Sequence, residues 1–183
     1  MENRTELVQD EVSQAVAAIK DKAGLSVDTA QVGKYLTFKI ADETYGVEIL
    51  KVQEIIQLLD ITRVPKMPGF VRGVINLRGK VIPVMSLRKK FGIEDIPDTD
   101  RTCIIVINVP SSEGVITMGL VVDSVSEVLD IGADAIQESP SFGVSVDTTF
   151  ILGMGKVDKK VVILLDIDRI LSSQEAETIV KGV

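Results

Sequence analysis

Histidine and tryptophan are absent from these 183 residues, cysteine occurs once, and aromatic residues make up only 4%. Without histidine there is no imidazole base, no Ser-His-Asp triad and no phospho-accepting histidine. The single Cys103 excludes an internal disulfide and leaves a structural zinc short of ligands. It suits a soluble protein of the reducing cytoplasm. No apolar run reaches the ~18–20 residues that cross a bilayer. The opening Met-Glu-Asn-Arg lacks the apolar core of a secretory signal. With aromatics scarce, Val, Ile and Leu must fill the interior, and an apolar share of 45% is enough.

One local absence carries more. Between Ile61 and Ile93 there is no Asp or Glu, yet eight basic residues stand there: Arg63, Lys66, Arg72, Arg78, Lys80, Arg88, Lys89 and Lys90. The whole chain is at −7, which disfavours nucleic acid as a general partner. A positive segment in a negative protein is a candidate docking patch for an acidic partner. The plain alternative is a solvated face, since exposed ion pairs contribute only about 0–1 kcal/mol each.

That segment contains the most ordered stretch of the chain, Phe70 to Arg88. Val74, Ile75 and Leu77 precede a turn at Arg78-Gly79, and Val81, Ile82, Val84 and Met85 follow it. β-Branched runs flanking a glycine turn predict a hairpin. Pro83 donates no ladder hydrogen bond and predicts an edge or a bulge. Before it, residues 1–33 carry Val8, Val12, Ala15, Val16 and Ile19 at helical spacing, with Gly24 as a stop. One amphipathic helix without a partner in sequence is marginal in water: it docks on the body, pairs with another molecule or frays, and a flexible or helical extension is expected. Alternation from Lys34 predicts strands, and the acidic stretch Asp95–Asp100 is the best internal boundary.

Beyond that boundary the chain repeats itself. At an offset of 80, Phe70, Gly73, Lys80, Val81 and Leu87 fall on Phe150, Gly153, Lys160, Val161 and Ile167. At an offset of 73, Gly46, Val52, Glu54 and Ile55 fall on Gly119, Val125, Glu127 and Val128. Each copy offers about five short strands and ends in a short helix, Ser86–Phe91 or Asp166–Leu171. Five such strands suit a small closed barrel, which removes exposed edges. The expected fold is all-β: a first barrel at about 34–92 and a second at about 101–172, with strands open to exchange between them. Residues 173–183 are expected as a tail.

Catalytic motifs come close and miss. Gly73 to Lys80 has five residues between its glycines instead of four, and Val81 stands where a phosphate loop needs Ser or Thr. Gly143-Val-Ser145-Val-Asp147 lacks the last glycine of a nucleophile elbow. A hydrolase using Asp123 and Glu127 has nothing further to recommend it. The expectation is a non-enzyme without cofactor or metal.

Positions shared by the copies are structural, and positions that diverge are candidates for function. Asn76-Leu77-Arg78-Gly79 becomes Lys156-Val157-Asp158-Lys159 in the second copy. A guanidinium at a hairpin tip can grip a carboxylate or lie along an apolar surface. Arg78 is therefore the leading binding residue, beside the alternative of an internal ion pair with Glu54.

The runs YGVEILKVQEI, PGFVRGVINLRGKVIPVMSLR, MGLVVDSVSEVLDI and VVILLDIDRIL resemble the CheW chemotaxis coupling proteins over about residues 34–172. The resemblance implies two five-stranded SH3-like barrels packed side by side. It further implies a non-catalytic adaptor between methyl-accepting chemoreceptors and the regulatory domain of the histidine kinase CheA. Val52 and Glu54 match the family's V-x-E-I element, Gly73 its glycine before the hairpin and Arg78 its tip arginine, positions linked to receptor contact. A groove between barrels can accept a helical hairpin, with Val52, Ile55 and Val74 as apolar contacts and Arg78 setting register. For the kinase, the strand surface at Val121, Val125 and Val128 is a choice by elimination. The competing reading is a barrel that binds an anion or oligonucleotide through 61–93, which steep salt dependence would reveal.

Overall fold

A computed structural model describes residues 4–23, 33–138 and 149–183. Gly24 and the near-motif at 143–147 lie outside them. The alternating stretches become strands. β1 (Lys34–Ile40) and β2 (Glu43–Glu48) form a hairpin, and a 3-10 turn at Ile49–Lys51 leads into β3 (Val52–Gln57). The central hairpin is β4 (Val71–Leu77) with β5 (Lys80–Ser86), then a short helix α2 (Leu87–Lys90). The Ser86 hydroxyl caps α2, accepting the Lys89 N–H at 3.3 Å. The second copy supplies β6 (Cys103–Ser111), β7 (Gly114–Val122), β8 (Ser124–Asp130), β9 (Ile136–Gln137), β10 (Ile151–Val157) and β11 (Lys160–Leu165).

These strands make a six-stranded sheet, β8-β1-β2-β11-β10-β9, and a five-stranded sheet, β3-β6-β7-β5-β4. The two are SH3-like barrels, and each takes its first hairpin from the other copy. Both junctions are parallel: Val84 of β5 lies opposite Gly119 of β7, and Leu164 of β11 opposite Gly46 of β2. The two pairs are related by the same offsets that define the repeat. A cut at residues 92–101 therefore separates no barrel, because each half alone would leave sheet edges unpaired. The strand count also departs from five and five. β9 adds a sixth, and its counterpart in the other sheet is a single bridge between Thr62 and Val74.

Pro83 sits in β5, an interior strand, but β5 pairs with β7 only from Val84 to Ser86. On that side Pro83 is locally at an edge, so no ladder bond is lost.

Alternate residues of each strand enter different cores. Ile82, Val84, Ile104 and Val106 fill one barrel, and Tyr35, Val162 and Leu164 the other. The opposite faces supply the largest cluster, with Leu36, Phe38 and Val47 from one sheet and Ile105, Ile107 and Leu120 from the other. That cluster lies between the barrels. Phe38, Tyr45, Phe91 and Phe150 stack in series across it, with successive centroids 6.0, 5.1 and 5.1 Å apart.

Both ends of the chain join this central core. Residues 173–183 are no loose tail: α3 (Ser173–Gly182) buries Ala176 and Ile179 and starts with a full Ser172/Glu175 capping box. The N-terminal helix α1 (Arg4–Ala23) packs against β8 and β3, burying Val12 and Val16. Of the alternatives open to this helix, docking on the body is the one found, in place of the expected flexible extension, because the seam between barrels offers its valines a place. Two buried valines stabilise by about 3 kcal/mol, a small sum for ordering so long a segment. Val8 and Ala15 stay exposed, and the side chain of Ile19 lies outside the described residues.

Candidate functional site

The β4–β5 hairpin turns through two residues with left-handed backbone, Arg78 (φ 50°) and Gly79 (φ 87°). Positive φ at both central residues is the requirement of a type I′ turn, whose twist suits a two-residue hairpin. The Asn76 side-chain carbonyl accepts the Gly79 N–H at 2.9 Å and fixes the turn. The backbone thereby projects Arg78 outward, with 69% of its side chain exposed. Its guanidinium donates to the Glu54 carboxylate on β3, and that hydrogen bond raises the arginine pKa further. The internal pair weighed from the sequence is present, and it stands at the surface where a partner can reach it.

Strand β3 aims Glu54 at this tip because its ladder is irregular. The register with β6 shifts between Val52 and Glu54, and such a bulge re-aims side chains. Val52 and Ile55, three apart, both turn into the cluster between the barrels, and Glu54 turns out. Val52 is fully buried and Ile55 nearly so. With α1 in place neither is open to a partner: the expected groove is filled by core and by Val12 and Val16 of α1, which join the same cluster.

Gly73 is structural too. Its φ is +147°, and a Cβ there would lie 2.1 Å from the Thr62 carbonyl oxygen. The close approach lets Thr62 and Val74 exchange backbone hydrogen bonds of 2.9 and 2.8 Å. That bridge anchors the loop leading to the hairpin. Val74 is half-buried. Of the six receptor-site candidates, Glu54, Val74 and Arg78 therefore reach the surface.

The basic stretch is largely neutralised from within. Arg72 pairs with Asp98, Arg78 with Glu54, Arg88 with Asp123, Lys89 with Asp95 and Lys90 with Glu175. Among the described residues, no ion pair engages Arg63, Lys66 or Lys80. An open cavity of about 620 Å³ lies over the Arg72–Asp98 pair, lined also by Leu58, Ile61 and Arg63. Apart from Arg78–Glu54, sequence reasoning missed these pairings because each carboxylate lies outside the basic run.

The Arg88–Asp123 pair is among the most enclosed of them, its side chains only 12% and 25% exposed. Arg88 donates to both carboxylate oxygens, at 2.8 and 2.6 Å, and to the Glu94 carbonyl at 2.8 Å. The Ala41 N–H also donates to Asp123 at 2.8 Å. Burial pushes the Asp123 pKa up, but these hydrogen bonds outweigh it and hold the group below its ordinary value. With its oxygens so occupied, Asp123 is a rivet between the two copies and no general base. Burial pushes the Cys103 thiol up to about 12, so it is inert near neutrality.

The surface chosen for the kinase is not an open apolar face. Val121 fills a barrel interior, Val125 belongs to the cluster between barrels, and Val128 packs partly buried against it. Strand β8 is further covered by α1.

Interlocked barrels that present a fixed, ion-paired hairpin tip define a scaffold for protein contacts. The CheW-like domain family model matches residues 34–175. The chemotaxis protein CheW of Klebsiella aerogenes is 38% identical over 158 residues, 84% of this chain and 93% of that one. That of Thermotoga maritima is 35% identical over 159 residues, 85% and 97% of the two chains. The crystal structure of the scaffolding protein TtCheW from Thermoanaerobacter tengcongensis superimposes with a TM-score of 0.69 at 35% identity, covering 78% of this chain and 96% of the other. The chain belongs to the CheW-like domain family, and its function is that of a chemotaxis coupling adaptor. Among the described residues, no helix is long and apolar enough to cross a membrane.

Proposed function

We propose that this chain is a non-catalytic cytoplasmic adaptor that joins methyl-accepting chemoreceptors to the histidine kinase CheA. The receptor's helical tip docks on the outer edge of β3 and on the β4–β5 turn. The observation that carries this reading is the exposed Arg78–Glu54 pair on a rigid type I′ turn. It offers a guanidinium fork whose direction is already set, so little rotamer freedom is lost on binding. Glu54 and a receptor carboxylate then share the same cation, with Val74 as the adjoining apolar contact. A reversible coupler needs no more than micromolar affinity, about −8 kcal/mol.

The test is titration of a receptor-tip fragment against the wild-type chain and the Arg78→Ala and Arg78→Glu variants. Both substitutions are expected to weaken binding at least about tenfold while circular dichroism stays unchanged. Receptor affinity equal to wild type in both variants would remove Arg78 from the site. A pull-down from a chemotactic bacterial lysate is expected to recover CheA together with receptors. The anion or oligonucleotide reading loses ground because five of the eight cations in 61–93 are already paired.

A further inference from the structure

The edge strands β3 and β8 belong to different barrels, and the repeat makes them equivalent, with Val52 and Val125 at matching positions. Helix α1 lies against both of them. It inserts Val12 and Val16, one helical turn apart, into the cluster that holds Val52, Ile55 and Val125. The seam is therefore a surface shaped for an amphipathic helix, and a helix of this chain is seated there.

That helix is held differently from α3 at the other end of the chain. Lys90, itself 4.5 Å from the Phe70 ring centroid, clamps Glu175 of α3 at 2.8 and 2.9 Å, and a capping box closes the helix start. Among the described side chains of α1, those of residues 7–18, no ion pair joins the helix to a barrel. Only Val12 and Val16 of its described side chains are buried, while Leu7 and Val8 are 49% and 38% exposed. α1 also precedes the region matched by the family model, residues 34–175. It is a lightly fastened addition lying on the strand that carries Glu54.

We propose that the β3–β8 seam is the seat of a partner helix and that α1 is its resident competitor. A helix of the receptor tip, with small apolar side chains one turn apart, displaces α1 as it engages Glu54 and Arg78. The inference rests on the receptor reading above and adds its regulation: the fraction of molecules with α1 undocked sets the apparent affinity. Release of α1 is then coupled to receptor docking, and whatever binds the free α1 strengthens coupling.

Two measurements on the whole 183-residue chain decide this. The Val12→Glu/Val16→Glu variant, which unpins α1 without shortening the chain, is titrated with the receptor-tip hairpin. It is expected to bind about tenfold tighter than wild type. In parallel, amide hydrogen exchange of α1 in the wild-type chain is expected to speed up when the fragment is added. This second arm needs no substitution in the core and decides the matter if the variant does not fold. Equal affinities with α1 exchange unchanged on binding would overturn the competition and leave receptor docking standing. Absence of binding by both chains would overturn the receptor reading, and the competition with it.

Discussion

The two long hairpins, β4–β5 and β10–β11, share a register up to the turn and diverge in what they display. Both carry a register shift beside a glycine, Gly73 or Gly153. Both close at the base with a 2.8 Å hydrogen bond, Ser86 N–H to the Phe70 carbonyl and Asp166 N–H to that of Phe150. The tip residues Arg78 and Asp158 have nearly the same φ, 50° and 54°. Yet one tip presents a guanidinium held by a carboxylate from β3, and the other an aspartate. The register was copied because it tolerates no slip. The tip side chain was free to change, and there the copies part.

The largest expected effect separates the two bulge glycines. Gly73→Ala places a methyl 2.1 Å from a backbone carbonyl at a φ that L residues avoid, and it should destabilise by about 3 kcal/mol or more in urea unfolding. Gly153→Ala brings a methyl to 2.8 Å of the Gln137 carbonyl without a left-handed φ, and about 1–2 kcal/mol is expected. Equal losses would break the view that the first loop is the more tightly constrained.

The ion pairs after each hairpin differ in the same sense. Arg88–Asp123 is enclosed, whereas Lys51–Asp168 is open, 37% and 44% exposed. Asp123→Asn should cost about 2 kcal/mol at neutral pH, and Asp168→Asn no more than about 0.5 kcal/mol. Acid sharpens the point. For Asp123 and Glu175, burial raises the pKa, but hydrogen bonds, from Arg88 and Ala41 N–H and from Lys90 and Ser172 N–H respectively, bring the net shift below the ordinary value. The unfolded chain therefore takes up protons first. The stabilisation is complete above the ordinary carboxylate range near about pH 4 and is lost as pH falls through the lower folded values. Unfolding followed from pH 7 downward should show that loss in the wild type and a flatter acid limb in Asp123→Asn.

The smallest effects concern the second tip and salt. Asp158→Arg should leave receptor affinity within about twofold, since that tip belongs to the other barrel and not to the Glu54–Arg78 site. Raising salt from about 0.05 to 0.5 M should weaken receptor binding less than about fivefold, far below the loss expected of a phosphate-binding protein. A steep slope would return the basic stretch to the surface.

Much of this was legible in the chain. The offsets of 80 and 73 located both hairpins, because a bulge glycine and a β-branched run leave a local imprint. Arg78 and its alternative partner Glu54 were both named, since their divergence between copies is visible in order of residues. The orientation of Val52, Ile55, Val121 and Val125 was not legible. A bulge inverts the face that alternation predicts, and a strand with a second barrel behind it buries both sides. The docking of α1 and α3 was equally hidden, for an amphipathic helix reads the same whether or not a seam awaits it.

By itself the sequence determined the strands, their turns, the repeat and the tip arginine, all consequences of interactions between near neighbours. Only the tertiary structure decided that the copies exchange hairpins, that the cleft between them is packed, and which carboxylate holds each cation. Those outcomes depend on contacts between residues tens of positions apart, where loop closure costs little extra with length and many pairings satisfy the same local pattern.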